Sequence, residues 1–381
     1  MQQTNMQQPD RAFLAGRALD YLKQLVAIPS PSGDEAAIAR HIGGLLESLG
    51  LSVTLQPVGS RFNVIARTPA TRDEADILLT GHMDTIPVSQ GWSTDPFKPV
   101  IAGDRMYGLG ACDQKGGIAA MIAALEGLRA AGRLDGANIL VAFVPDEEAL
   151  SDGMLAFLET KPKARLALLS EPHFKEATIG WPGKALVNIV VHGKSAHGGS
   201  RPWEGINAIE EAARLLVALG RVEPPRHERL GSHSFVTLKV RGGYERYSLT
   251  VPDRCEITIS KQLVPGESKE TVARLVEQAA SAMERARAEV SFDRPYYPPA
   301  AQDPSHPQVQ RFSRLYRKVT GKELLLGYGE GVLDGNYSAD AGIPTISWGP
   351  SGANLHRADE WVSLDELATA AEVYFRMCLE G

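Results

Sequence analysis

The sequence predicts an α/β protein whose mainly parallel sheet, with helices on both faces, is interrupted by a smaller α+β insert. Helix-like and strand-like stretches alternate over the first half of the chain, a pattern typical of a parallel sheet. Near residue 178 the order changes to strand–helix–strand–strand–helix–strand, which is the order of a ferredoxin-like unit. The alternation of strands and helices resumes from His306. These observations predict one main domain that is split around one insert.

The first part of the main domain supplies most of the elements of the predicted sheet. Helix-like stretches are expected at 10–28, 35–49 and 118–131. The strand-like runs between them lie at 52–57, 62–68, 77–80, 139–144 and 167–170. Strands and helices that alternate in this way form β–α units, so the sheet is predicted to be mainly parallel.

The insert is predicted to contain four strands and two helices. The strands are expected at 185–193, 234–241, 254–263 and 289–293, and the helices at 205–219 and 268–288. The Pro-rich segment 294–299 is predicted to be the linker back to the main domain. The expected boundaries are therefore 1–177 and 295–381 for the main domain and 178–294 for the insert.

Length, charge and cysteine content exclude several classes of protein. A chain of 381 residues is long enough for more than one core, and a formal net charge of −6 argues against nucleic-acid binding. The three cysteines, Cys112, Cys255 and Cys378, do not predict a disulfide framework. The polar N-terminus lacks the apolar segment of a signal peptide, and no apolar run is long enough to span a membrane. We therefore expect a cytoplasmic protein with no membrane partner.

A histidine and an aspartate follow the apolar run at 77–80. His82 and Asp84 are two residues apart, so in an extended strand their side chains point to the same side. A neutral imidazole can bind a metal ion through one nitrogen while its other nitrogen contacts a carboxylate. Alone, such a pair is more often a surface salt bridge, so its interpretation depends on the rest of the chain.

Other segments place carboxylates and a second histidine in comparable positions. Asp113 lies in a Gly-rich loop before a helix, Glu147, Glu148 and Glu171 follow apolar runs, and His356 lies near the C-terminus. Taken one at a time, Asp113 has the position of a helix N-cap, the paired acids that of a solvated loop, and His356 that of a structural residue. In an open α/β sheet, however, the carboxyl ends of the strands converge on one crevice.

Taken together, these residues suit a pair of divalent cations. Two histidines and three carboxylates provide mixed nitrogen and oxygen ligands, a set that favours zinc and also accepts cobalt or manganese. If Asp113 is shared, each ion has three protein ligands and keeps one position for water, as a catalytic site requires. Glu147 is then free to act as a general base.

These motifs resemble those of the peptidase M20 group of co-catalytic zinc hydrolases, and they follow that family's order from about residue 21 to residue 361. The group includes acetylornithine deacetylase, succinyl-diaminopimelate desuccinylase, aminoacylase-1 and the glutamate-releasing carboxypeptidase. The matching segments are Gly-His-Met-Asp-Thr at 81–85, Asp-Gln-Lys-Gly-Gly at 113–117, Glu-Glu at 147–148, Ser-Glu-Pro at 170–172 and His-Arg-Ala-Asp-Glu at 356–360.

The resemblance implies a zinc-peptidase-like catalytic domain that binds two metal ions. By analogy, His82 and Glu171 bind one ion, and Glu148 and His356 bind the other. Asp113 bridges the two ions, and the peptide bond that follows it is often cis in the family.

The resemblance also assigns residues that do not bind metal. Asp84 orients His82, Glu147 is the general base, and the insert is a lid that usually forms a homodimer. A lid motif at 193–209 contains His197, which in the family reaches an active site, often that of the partner subunit. His197 would then donate a hydrogen bond to the developing oxyanion. The alternative for His197 is a hydrogen bond at the entry to a helix.

Three positions depart from the family pattern and concern the substrate. Leu109 stands where relatives often have arginine, and Leu249 stands where many have asparagine. Gln262 replaces an arginine that can clamp a substrate carboxylate through two hydrogen bonds. Either the substrate lacks the usual α-carboxylate, or another cation binds it; the candidates are Arg201, Lys261 and Arg246.

The leading interpretation is a dizinc amidohydrolase that releases an amino acid from an N-acyl amino acid. The alternatives are a carboxypeptidase or dipeptidase with the same metal site, and an amidase acting on an unusual small amide, such as an aryl or xenobiotic one. A non-catalytic binding module predicts a lost ligand or base, whereas all these residues are present. A scaffold role is disfavoured because clustered acids repel one another without a metal.

Overall fold

The computed structural model describes residues 9–199, 204–246 and 248–380. Contacts between Cα atoms divide these residues into two compact units. The larger unit comprises the residues up to 179 together with 302–327 and 333–380, and the smaller unit comprises those of 180–301 together with 328–332. None of the helices in the described part of the chain is long and apolar enough to cross a membrane.

Helices occur in both units. In chain order they are α1 (Arg11–Val26), α2 (Ala36–Ser48), α3 (Lys115–Ala130), α4 (Asp152–Glu159), α5 (Ala208–Leu219), α6 (Lys269–Ala280), α7 (Pro307–Thr320), α8 (Asp334–Asp340) and α9 (Leu364–Leu379). A short 3-10 helix lies at Leu134–Gly136.

The strands include several short pairs beside the two main sheets. They are β1 (Ser52–Val58), β2 (Arg61–Arg67), β3 (Glu74–Ala75), β4 (Ile77–His82), β5 (Val100–Ala102), β6 (Arg105–Tyr107), β7 (Ile139–Val144), β8 (Lys163–Ala164), β9 (Ala167–Leu169), β10 (Glu176–Thr178), β11 (Gly180–Trp181), β12 (Gly183–His192), β13 (Phe235–Gly242), β14 (Arg254–Leu263), β15 (Arg287–Tyr297), β16 (Ala300–Ala301), β17 (Leu325–Gly327), β18 (Thr345–Ser347), β19 (Gly352–Ala353) and β20 (Trp361–Ser363).

The larger unit is built on an eight-stranded sheet in the order β1-β2-β7-β4-β9-β18-β10-β17. The pairings β7–β4, β4–β9, β9–β18 and β10–β17 are parallel. Strands β4, β7 and β9 are buried along their whole length, as expected of the centre of a parallel sheet. In the β4–β7 register His82 pairs with Val144, so the residues after both strands emerge at the same edge. The predicted mainly parallel α/β sheet is confirmed.

Helix α3 brings the loop before it close to the strand ends. Its sequence is rich in Ala and Gly, and most of its residues are buried, so it is apolar around much of its circumference. It packs against α1 and α9. A Cβ atom on Gly117 would lie 2.4 Å from the backbone oxygen of Ser170, so only glycine permits this approach. The first turn of α3 is thereby fixed against the residue that precedes Glu171.

The smaller unit contains an antiparallel sheet in the order β13-β14-β12-β15. Every second residue of β12 is buried, and these residues share an apolar core with α5, α6 and β14. Both helices have side-chain N-caps: Asn207 accepts from the N–H of Ile209, and Ser268 accepts from that of Thr271. The predicted ferredoxin-like order of strands and helices is confirmed.

The end of the smaller unit differs from the sequence-based expectation. Helix α6 ends at Ala280, eight residues before the expected end, and the segment 294–299 is largely strand rather than linker. Strand β15 continues to Tyr297, which pairs with Lys184 of β12. Because β15 lies at the edge of its sheet, Pro295 can occupy it without breaking the interior pairing.

Candidate metal centre

The end of β4 carries the first histidine of the site. His82 is the last, buried residue of this strand. Its Nδ1 lies 3.0 Å from the backbone oxygen of Asp84 and 3.4 Å from the Asp84 carboxylate. Its Nε2 lies 3.2 Å from Oδ1 of Asp113 and 3.9 Å from Oε1 of Glu171. One nitrogen is therefore held by the protein backbone and Asp84, and the other faces two carboxylates.

In the described part of the chain, two groups of side chains could each hold a metal ion, and Asp113 belongs to both. The first group is His82, Asp113 and Glu171, and the second is Asp113, Glu148 and His356; the ligand atoms within each group lie within 4.8 Å of one another. In the second group, Nε2 of His356 lies 3.0 Å from Oε1 of Glu148 and 3.4 Å from Oδ2 of Asp113. The two carboxylate oxygens of Asp113 thus face different histidines.

The loop that carries Asp113 is held by a buried carboxylate. Glu360 accepts hydrogen bonds from the backbone N–H groups of Gly110 at 2.9 Å, Cys112 at 2.8 Å and Asp113 at 3.0 Å. Burial raises the pKa of Glu360 to about 7, although these N–H groups lower it. The peptide bond from Asp113 to Gln114 is cis, as the resemblance implies. Glu360 is the last residue of the matched segment 356–360, but sequence reasoning gave it no role.

The position of Glu171 is fixed by a side-chain amide. Nε2 of Gln114 donates to Oε1 of Glu171 at 2.5 Å, and the hydroxyl of Ser170 donates to Oε1 of Gln114 at 2.7 Å. These two hydrogen bonds determine which way the Gln114 amide points. Sequence reasoning missed Gln114, although it directly follows Asp113 in the matched segment 113–117.

Asp84 connects the first histidine to the acidic turn after β7. Its carboxylate accepts hydrogen bonds from the backbone N–H groups of Glu147 and Glu148, each at 3.1 Å, and from the Ser32 hydroxyl at 2.7 Å. Burial disfavours the charge on Asp84, but the contact with His82 and these hydrogen bonds outweigh burial, so its pKa is lowered. Asp84 is therefore an ionised acceptor in the folded protein.

Glu147 lies among several acids of the larger unit. Burial raises its pKa well above the usual value; His82 opposes the shift, and the charges of Glu171 and Asp334 add to it. Asp334, at the start of α8, is itself buried, and burial raises its pKa to about 7 against a hydrogen bond from Ser151. Sequence reasoning missed Asp334, whose only sequence signal is an acid directly after the apolar pair at 332–333.

Burial and neighbouring charges also shift the pKa values of Glu171 and His356, two of the possible metal ligands. Burial raises the pKa of Glu171 to about 8, and the hydrogen bond to Asp113 raises that of His356 to about 9. Without a counter-ion, crowded carboxyl groups keep their protons because their negative charges would repel one another. A histidine among carboxylates also keeps its proton because its positive charge is attracted to them. A divalent cation reverses both tendencies because its charge favours ionised carboxylates and neutral imidazole. The chemistry of these donors therefore fits bound divalent metal.

The expected substrate-binding residues lie in the smaller unit or outside the described residues. Lys261 is buried; its ammonium lies 3.0 Å from Glu267 and donates to the backbone oxygen of Gln262 at 2.7 Å. This ion pair argues against Lys261 as the ligand of a substrate carboxylate. Arg246 is exposed to solvent, and Arg201 lies outside the described residues.

His197 lies in the smaller unit and is exposed. Its Nδ1 accepts a hydrogen bond from the backbone N–H of Gly199 at 3.1 Å. A neutral imidazole that accepts at Nδ1 carries its proton on Nε2, so Nε2 is a hydrogen-bond donor. The contact is local, but it does not lie at the entry to a helix, because α5 begins at Ala208 with Asn207 as its N-cap. It leaves the other nitrogen of His197 able to donate.

An α/β sheet whose strand ends gather two histidine–carboxylate groups is the arrangement of a metal-dependent hydrolase. Residues 78–380 match the sequence model of peptidase family M20/M25/M40. The chain belongs to this family, and it is an M20-type hydrolase.

Relatives and solved structures show how widely the family varies. An N-formyl-4-amino-5-aminomethyl-2-methylpyrimidine deformylase of Bacillus subtilis is 25% identical, over 90% of this chain and 88% of its own length. The aminopeptidase PepT of Bacillus cereus has a TM-score of 0.77 and 25% identity, over 96% of this chain and 98% of its own. The YXEP protein of Bacillus subtilis, described as a dinuclear metal binding peptidase, has a TM-score of 0.71 and 17% identity, over 98% of this chain and 99% of its own.

Proposed function

We propose that the protein hydrolyses the amide bond of a small N-acyl compound, with an N-acyl amino acid as the leading substrate class. The observation that carries the proposal is the position of Asp113 between His82 and His356, at 3.2 and 3.4 Å from their Nε2 atoms. A carboxylate shared between two histidine-containing groups is suited to bridge two metal ions.

The described residues fit two divalent ions, for which zinc is the favoured identity. His82 and Glu171 would hold one ion, Glu148 and His356 the other, and Asp113 both. When bound, such ions act as Lewis acids on a carbonyl oxygen and make a water molecule acidic. Asp84 orients His82 through Nδ1 and so leaves Nε2 as the ligand atom.

Glu147 is the proposed general base. It adjoins the ligand Glu148, and its backbone N–H is held by Asp84. In its ionised form, the Glu147 carboxylate takes a proton from the attacking water and returns this proton to the leaving nitrogen. His197 is proposed to donate from Nε2 to the oxyanion that forms on the carbonyl oxygen.

A second candidate substrate class is an amide without an α-carboxylate. Two features favour it: the amide of Gln262 donates to the backbone oxygen of Glu330 at 3.1 Å, and Lys261 is paired with Glu267. The B. subtilis relative is named for removing a formyl group from a pyrimidine amine. The carboxypeptidase and dipeptidase alternatives predict peptide substrates.

The smaller unit has a surface suited to a second copy of the chain. Strand β13 lies at a sheet edge, and its side chains Val236, Leu238 and Val240 are exposed. An edge strand with exposed apolar residues can pair with the same strand of another copy. We therefore propose a homodimer. Leu238→Asp should lower the mass measured by light scattering from two chains to one; an unchanged dimer would exclude this strand.

A substrate panel tests the proposed activity. Metal-free protein is assayed with N-acetyl amino acids, dipeptides, aryl amides and formamides of amines, before and after addition of zinc, cobalt or manganese. Metal-dependent turnover of an N-acetyl amino acid supports the leading class, and turnover confined to formamides or aryl amides supports the second. Metal uptake without turnover of any amide would refute amide hydrolysis but would still support the proposed metal site.

A further inference from the structure

The turn that follows β7 contacts a largely buried arginine of β2. Arg61 has a side-chain exposure of 14%. Its Nη1 lies 2.5 Å from Oδ1 of Asp146, and its Nη2 lies 3.4 Å from Oδ2 of Asp152. Glu35, which is fully buried, lies 3.9 Å from Nη1. The guanidinium group is therefore surrounded by three carboxylates, none of which is among the proposed metal ligands.

Asp146 is the residue on which this turn is built. Its φ of 74° lies in the left-handed region, which a residue with a side chain adopts only when its contacts hold it there. Its backbone oxygen accepts from the N–H groups of Ala149 at 3.3 Å, Leu150 at 3.1 Å and Ser151 at 2.7 Å. Its Oδ2 accepts from the N–H of Asp152 at 3.2 Å. Both the backbone and the side chain of Asp146 thus organise the turn.

The residues between these contacts are Glu147 and Glu148. Their N–H groups donate to the Asp84 carboxylate, each at 3.1 Å. The turn is therefore held at two points: Asp84 binds it at Glu147 and Glu148, and Arg61 binds it one residue earlier, at Asp146. Two attachments at adjacent positions of the same short turn restrict its position more than either one alone.

We propose that Arg61 is a positioning residue for Glu147 and Glu148. It neutralises the buried Asp146 carboxylate and keeps the turn in the conformation that aims Glu147 at the reacting water and Glu148 at its metal ion. Its planar, five-donor group contacts Asp146 and Asp152 together, which a lysine ammonium cannot reproduce. The inference rests on the proposed metal-dependent hydrolysis and adds a residue to that site.

Removal of the guanidinium should make the turn more mobile. It should also weaken metal binding by the group that contains Glu148. In Arg61→Met, we expect kcat to fall roughly 10- to 100-fold with little change in KM, because misplacement of a catalytic group affects the chemical step. The ion that Glu148 and His356 would hold should bind roughly 10-fold more weakly, as for the loss of a residue that orients a ligand. The group containing His82 and Glu171 should change less.

The experiment combines hydrogen exchange and metal binding on the full chain. Amide exchange of the peptide spanning 145–152 is measured on metal-free protein, and the two zinc dissociation constants are measured by competition with a chelator. Arg17→Met is the matched control, because Arg17 also makes a 2.5 Å ion pair, with Glu126, in the larger unit but contacts no part of this turn. Arg61→Lys tests whether charge alone is sufficient.

In Arg61→Met, we expect faster exchange in 145–152 and weaker binding of one of the two zinc ions. Both effects should be smaller in Arg61→Lys and absent in Arg17→Met. Wild-type exchange and wild-type zinc binding in a folded Arg61→Met protein would overturn the proposal. If Arg61→Met does not fold, Arg61→Lys provides the test. Wild-type exchange and wild-type zinc binding in Arg61→Lys would show that only the positive charge of Arg61 matters, which would overturn the positioning role. A wild-type protein that binds no metal would refute the proposed function, whereas the exchange comparison would still test the contact of Arg61 with the turn.

Discussion

The carboxylate of Asp84 accepts a hydrogen bond from the backbone N–H of Glu147 at 3.1 Å. The same carboxylate lies 3.4 Å from Nδ1 of His82, the last residue of β4. One side chain therefore contacts both a proposed metal ligand and the proposed base. The parallel register of β4 and β7 makes this possible, because it brings the ends of both strands to the same edge of the sheet.

Asp84→Asn tests this double contact. An amide is a weaker acceptor than a carboxylate for two N–H groups and an imidazole, so we expect metal affinity and kcat/KM each to fall roughly 10- to 100-fold. Zinc dissociation constants and steady-state kinetics provide the measurement. Asp104→Asn is the control, because Asp104 also accepts from a serine hydroxyl, at 2.7 Å, and from a backbone N–H, at 2.9 Å, but at the start of α9. Equal effects in both variants would contradict a specific role for Asp84.

Glu147→Gln separates metal binding from proton transfer. Glutamine has nearly the same shape as glutamate but cannot take a proton from water, so kcat should fall roughly 10²- to 10⁴-fold. Metal content should stay at the wild-type value, because Glu147 is not in either donor group. Metal analysis and steady-state kinetics are measured on the same sample. Near-normal kcat in this variant would exclude Glu147 as the base.

His356→Ala should remove one metal ion and leave the other. His356 contacts Glu148 and Asp113 but is absent from the group that contains His82 and Glu171. We therefore expect about one tightly bound equivalent instead of two. Equilibrium dialysis followed by elemental analysis measures the stoichiometry, with His41→Ala as a control because His41 lies in neither group. Loss of both ions in His356→Ala would show that the two groups do not bind metal separately.

The stability of the metal-free protein should depend on pH. Burial raises the pKa of Glu171 to about 8 and that of Asp334 to about 7, so each group binds a proton more tightly when folded than when unfolded. The hydrogen bond to Asp113 raises the pKa of His356 to about 9, which has the same sign. The metal-free protein should therefore lose stability as pH rises from about 5 to 9.

Metal binding should change this dependence. Because metal ions bind the deprotonated ligands, the increase in Tm on adding zinc should become larger from pH 5 to pH 8. Differential scanning calorimetry of metal-free and zinc-loaded protein across this range provides the measurement. A zinc-induced increase in Tm that is independent of pH would contradict the assignment of these groups as ligands.

The parts of the site that sequence could predict are those that follow buried strands. His82 follows the apolar run at 77–80, and Glu147, Glu148 and Glu171 also follow strand-like runs, so the convergence of strand ends was enough to group them. The parallel sheet and the ferredoxin-like order were predictable for the same reason: each element has its own apolar pattern.

The supporting contacts could not be predicted because they depend on the packing of distant segments. Glu360 contacts the loop at 110–113 from about 250 residues away, and Arg61, on β2, reaches Asp146 after the neighbouring strand β7. No local pattern distinguishes these side chains from surface charges. The extent of β15 was missed for another reason: proline-rich segments usually mark linkers, but Pro295 occupies an edge strand.

The most direct test of the central claim is the metal stoichiometry of the wild-type protein and of Asp113→Asn. Metal-free protein is titrated with zinc, and bound metal and amide turnover are measured at each step. We predict that wild-type protein binds two equivalents with turnover that reaches its maximum at the second, and that Asp113→Asn loses tight binding of at least one. Wild-type protein that binds one equivalent or none, or two equivalents that Asp113→Asn retains unchanged, would contradict the shared-carboxylate site.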